Sequence, residues 1–130
     1  MAIEPNERVL GPDFIWIKTK TPEEVTSILL ERFPVVRDLA SPSEFVLEDT
    51  FHAYGLFGAE IRRRIGDREF LQLAGSFINE LGESRDPLIE NVLVVGLLED
   101  IAQESAAVSV ISEYVSPKVK ELLREVGGRL

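Results

Sequence analysis

Few side chains in this sequence have the type and spacing to do chemistry. His52 is the single histidine, and Glu48 lies four residues before it, so on one helix the two would face the same way. Tyr54 follows two residues later. A carboxylate, an imidazole and a phenol could form a general base or part of a metal site. A two-metal carboxylate bundle, however, needs Glu-x-x-His twice together with further glutamates, and one histidine at four-residue spacing does not meet that pattern. A general base also needs a partner set, and none is visible around His52. There is no cysteine, which excludes disulfides and thiolate zinc ligation. The residues point to a non-enzymatic protein without catalytic residues, metal or cofactor. A small-molecule or metal-binding bundle using Glu48, His52 and Tyr54 is the further alternative.

The other chemistry-bearing residues are charged clusters. Glu90, Asn91, Glu99 and Asp100 bracket an apolar run. They read either as an acidic ridge that binds a basic partner or as helix ends that carry charge because they meet water, with Glu90 favourable near a helix N-terminus. Arg62-Arg63-Arg64 with Arg68 forms the basic cluster. Successive residues fan around a helix, so the three do not make one patch. They would either pair with acidic neighbours and complement the helix dipole or bind an anionic group. Over the whole chain 23 acidic residues outweigh 14 basic ones, a net charge of −9. That opposes a phosphate backbone, so nucleic acid is not the expected partner; a basic protein is.

These residues are organised around the stretch from Asp86 to Ala102. Asp86 suits an N-cap, because its carboxylate can accept a free backbone N–H at the positive end of a helix. Pro87 fits the first helical position, where its missing N–H is no loss. Val92 to Leu98 then carry no polar side chain over seven residues, about two turns. A helix apolar on every side is expected to be covered on every side, which makes 86–102 the central helix. The competing reading, a buried strand opening a dinucleotide-binding unit, needs Gly-x-Gly-x-x-Gly after it. Here Gly96 is followed by Leu97, Leu98 and Glu99. Gly96 is expected to admit a neighbouring helix closely.

Residues 1–20 read as an extended N-terminal arm, and 21–130 as one helical domain. Pro5, Gly11 and Pro12 break any helix in the arm, and Phe14-Ile15-Trp16-Ile17 has strong β preference. Phe14 and Trp16 are the candidate self-association residues if the run is a strand with an open edge; the other reading tucks Trp16 into the core. Thr21-Pro22-Glu23-Glu24 starts a helix with a capping box, and Pro34 ends it. Ser41-Pro42-Ser43-Glu44 signals a short second helix reaching about Asp49. Phe51, Tyr54, Phe57, Ile61 and Ile65 form one stripe, with Gly55 and Gly58 marking close packing or a kink. Gly66 is placed as a C-cap before Asp67 opens the next helix, and Gly82 as that helix's cap. Val108, Ile111 and Tyr114 continue the pattern, and Ser116-Pro117 begins a last helix ended by Gly127-Gly128. The expected fold is all-α: a single compact bundle of five to six helices. A chain of 130 residues buries about two-thirds of its unfolded surface, enough for a core without staples. The apolar run is shorter than the roughly 18 to 20 residues of a membrane span, and the polar N-terminus is unlike a secretory signal. No membrane association and a cytoplasmic location are expected.

Phe70 to Ala102 resembles one HEAT-type helical hairpin: an apolar helix, a tight turn, then Asp86-Pro87 and Asn91-Val92 opening a second apolar helix. HEAT arrays stack several such units, and no second copy is found. A looser resemblance spans the Phe51–Phe57 helix, Phe77-Ile78-Asn79-Glu80-Leu81, Glu90-Asn91-Val92 through Leu98-Glu99, and Tyr114-Val115-Ser116-Pro117 through Leu122. In pattern and order it is similar to a family of small uncharacterised bacterial helical proteins, some of them immunity proteins beside toxin genes. The resemblance implies a protein-binding module of the immunity type; the acidic balance makes a basic toxin its expected target, and Glu90, Asn91, Glu99 and Asp100, taken from their places around the apolar run, are the candidate contacts. The resemblance carries no functional residue over. The alternative is a structural or self-assembly subunit, a possible homodimer, using the N-terminal arm.

Overall fold

The computed structural model describes residues 7–10, 15–18, 20–39 and 49–129. Residues 40–48, which include the Ser41-Pro42 helix signal, lie outside the described residues, as do Phe14 and Glu48. The body is all-α. Its helices are α1 (Pro22–Arg32), the single turn α2 (Val35–Asp38), α3 (Thr50–Arg63), α4 (Arg68–Glu83), the central helix α5 (87–101), α6 (Ser105–Ile111) and α7 (Pro117–Arg129). Ahead of them the N-terminal segment is a two-stranded antiparallel hairpin, β1 (Glu7–Leu10) with β2 (Ile15–Lys18), in which Val9 lies opposite Trp16. The arm is therefore folded back on itself.

The helix starts follow their capping residues. Thr21 and Glu24 close a reciprocal box, the Glu24 N–H donating to Thr21 Oγ1 at 3.2 Å and the Thr21 N–H to Glu24 Oε1 at 3.0 Å. Asp49 accepts from the His52 N–H and Asp67 from the Phe70 N–H, each at 3.1 Å. Pro34 ends α1 as expected and leads into α2. Two expected helix ends are corrected. Gly82 does not cap α4 but lies inside it, buried, where an added Cβ would come within 3.0 Å of Val119 Cγ2. Gly127 and Gly128 do not stop α7, which runs through both to Arg129. In each case tertiary packing or the continuing ladder outweighs a propensity cost of about 1 kcal/mol.

The core is built on aromatic rings. Phe33, Phe57, Phe70 and Phe77 pack with centroids 4.6 to 6.4 Å apart, mostly tilted or edge-on, the arrangement that the ring quadrupole favours. Leu29, Ile61, Leu71, Ile78, Leu93, Leu97, Leu98, Ile101 and Ile111 fill the space around them. The central helix packs chiefly on α3. There Gly96 faces Tyr54 and Phe51, and Gly55 faces the Gly96 carbonyl, so glycines on both helices permit the close approach expected of Gly96.

Two features of the central helix differ from expectation. It is not α-helical throughout: Pro87–Asn91 is α, Val92–Leu98 is π-helical, and Glu99–Ile101 returns to α, with the Glu99 N–H donating to the Val94 carbonyl. The π segment coincides with β-branched Val92, Val94 and Val95 and with Gly96, residues that hold the α register least well. Nor is the helix covered on every side. Val95 is 46% exposed and Val94 half-buried.

A groove and an exposed ridge on the central helix

Of the residues with catalytic types, the two that are described, His52 and Tyr54, do not converge. His52 is exposed, whereas Tyr54 is fully buried and donates its hydroxyl to the Val25 carbonyl at 3.0 Å. Burial pushes the Tyr54 phenol well above its usual range, so it serves as a hydrogen-bonded core residue joining α3 to α1. Among the described residues no group of three metal-ligating side chains comes together.

Three of the four clustered arginines pair with carboxylates of the same molecule, while Arg68 is exposed. Arg62 grips Asp100 with two donors, Nε to Oδ2 at 3.1 Å and a terminal nitrogen to Oδ1 at 3.3 Å. This fork fixes the end of the central helix to α3. The Asp100 carboxylate also lies over Gly58, where an added Cβ would fall 2.6 Å from Oδ2. Arg63 and Arg64 flank Glu60, whose side chain is fully buried, and the Arg64 guanidinium lies 4.5 Å from the Phe70 ring centre. Glu60 escaped the sequence reading. Its spacing of three and four residues from two arginines was the available signal.

The acidic residues bracketing the apolar run divide. Glu90 and Asn91 are exposed, Glu99 is half-buried, and Asp100 is half-buried in its pair with Arg62. Asp100 is therefore a structural partner first, with little free charge to offer. Glu90, Asn91, Val94, Val95 and Glu99 make an outward ridge with an apolar middle and acidic ends. Phe51 of α3, 37% exposed, lies beside Gly96, next to Val95.

Beside this ridge runs a groove of about 180 Å³. Leu81 and Gly82 of α4, Leu93 and Val94 of the π segment, and Leu122 of α7 line it, with Glu90 and Lys118 as its charged members. Three elements hold it open. Ser116 caps α7 and is itself held to α4, its N–H donating to Asn79 Oδ1 at 2.7 Å. The three-residue connection from α4 to the central helix fixes the opposite wall, with Asp86 accepting from the Leu88 and Ile89 N–H groups at 2.8 and 3.4 Å. Gly82 contributes no side chain to the groove. Of the candidate self-association residues, Trp16 sits in β2 opposite Val9, and Phe14 lies outside the described residues.

Comparison with family models, curated proteins and solved structures returns no match to this chain. Among the described residues no helix is long and apolar enough to cross a membrane.

Proposed function

We propose that this protein is a non-enzymatic binding module that engages a basic protein partner through the exposed side of its central helix, in the manner of an immunity protein neutralising a basic toxin. The observation that carries this reading is the ridge itself. Val94 and Val95 form an apolar centre, Glu90, Asn91 and Glu99 a polar and acidic rim, the anatomy of a protein interface. The net charge of −9 supports it, because a basic partner would be steered toward such a surface. Pull-down from native cell extract with the tagged protein, washed at low and at high salt, tests it. The reading expects a stoichiometric basic protein that salt releases. A partner indifferent to salt, or an acidic one, overturns it.

The hairpin favours a second reading, self-assembly. Two strands alone are below the three or more that independent stability needs, and a strand from a second copy would extend the β1–β2 ladder. Light scattering on the full chain and on a chain lacking residues 1–18 separates the cases: this reading expects a dimer that the deletion converts to a monomer. A monomer in both dismisses it.

A further inference from the structure

We infer that the groove between α4, the central helix and α7 is the anchor subsite of the proposed interface, taking one bulky aliphatic side chain that the partner presents between a basic and an acidic residue. The inference rests on the binding-module reading and adds what the partner must carry. Size decides the class of occupant. Pockets for drug-sized ligands and cofactors run from about 300 to 1,000 Å³, and this groove holds about 180 Å³. A cavity of about 150 Å³ is enough for a benzene-sized apolar group. The groove thus fits one leucine-sized side chain and is too small for a cofactor.

Its chemistry agrees. Leu81, Leu93, Val94 and Leu122 supply apolar walls, and polar groups enter through Glu90 and Lys118 alone among the lining residues. Both are exposed, and neither forms an ion pair among the described residues. An apolar hole with one free carboxylate and one free ammonium complements an aliphatic side chain flanked by opposite charges. The groove also adjoins the ridge through Val94 and Glu90, which belong to both. Interfaces place their strongest contacts in such desolvated pockets, with polar groups around them.

The probes are capped tripeptides, Lys-Leu-Glu and Glu-Leu-Lys, each compared with its alanine-centred version and titrated into the full-length ¹⁵N-labelled protein. Amide shifts of Gly82, Leu93, Val94 and Leu122 are the readout. One or both leucine peptides should move these amides saturably. The alanine versions should bind about 50-fold more weakly, since three buried carbons are lost. Glu90→Lys should abolish the benefit of the peptide's lysine without shifting the amides of α1 or α3. Equal response to leucine and alanine peptides, or shifts scattered away from the groove, overturns the inference. Leucine dependence with no salt-released partner in the pull-down would retain the groove and reject the charge-steered reading. The converse would retain that reading and reject the groove.

Discussion

Asp86 joins two parts of the chain with one carboxylate. Oδ1 accepts from Leu88 and Ile89, and Oδ2 accepts from the Lys20 N–H at 2.6 Å, so the segment entering α1 is tied to the start of the central helix. The residue is only 7% exposed, and removing it would leave the buried Ile89 N–H and the part-buried Leu88 N–H without their acceptor. Asp86→Ala should cost about 2 to 3 kcal/mol, an N-cap loss plus an unsatisfied N–H, measured by denaturant unfolding. Asp86→Asn, which still accepts, should cost less. Glu80 provides a milder case. Its hydrogen bond from Arg32, 2.5 Å long, holds its carboxyl below the usual range. A depressed pKa contributes stability above the unfolded-state value of 4.5, and that contribution is lost as pH falls through the folded-state value. The pair is largely exposed, so the effect is small and screened by salt. Glu80→Gln should lower stability slightly at neutral pH, where that contribution is present, and make the acid limb of a stability–pH profile slightly shallower, the two proteins converging in strong acid. Asp86 was legible from the sequence because capping is local: side chain, helix start and proline lie within two residues. Its bond to Lys20 was not, since 66 residues separate the two. The pairing of Asp100 with Arg62 was hidden for the same reason, across 38 residues.

At the scale of elements, glycines separate into those that packing requires and those it tolerates. An added Cβ at Gly75 of α4 would overlap the Tyr114 carbonyl, whereas Gly127 and Gly128 of α7 have open space around them. Gly75→Ala should therefore destabilise by about 1 to 3 kcal/mol, the usual cost of overpacking. Gly127→Ala should stabilise by up to about 1 kcal/mol through helix propensity. Thermal melts of the two variants check the contrast. Helix existence was readable in order along the chain, because apolar spacing and caps are local signals: α1, α4, the central helix and α7 start at the residues that announce them, whereas α3 is capped by Asp49, which the sequence pattern assigned to the end of a preceding helix. Gly82 and Gly127-Gly128 show where local reading stops. A glycine looks the same in sequence whether it caps a helix, admits Val119 or simply continues a ladder. The π segment was equally hidden, because Val92 to Leu98 has the apolar content of an ordinary buried helix and its backbone pattern depends on how α3 packs against it.

For the molecule as a whole, the arrangement of charge matters more than its sum. Arg62, Arg63 and Arg64 are engaged with Asp100 and Glu60, while Glu90 and Glu99 at the two ends of the ridge form no ion pair among the described residues. Composition alone gave the acidic balance. It could not show that Val95 stays exposed between those carboxylates, nor that a groove opens beside it, because both depend on how α4 and α7 sit against the central helix. Charge reversal at the ridge ends is the most direct test of the central claim. In the native-extract pull-down, the protein is compared with a Glu90→Lys, Glu99→Lys double variant whose melting temperature is measured alongside. The basic partner should be captured by the parent protein and lost by the double variant, with the fold retained, since Glu90 is exposed and Glu99 half-buried and reversing a charge there, Glu90's place near the helix N-terminus included, costs about 1 kcal/mol each. Undiminished capture by a folded double variant would contradict the claim.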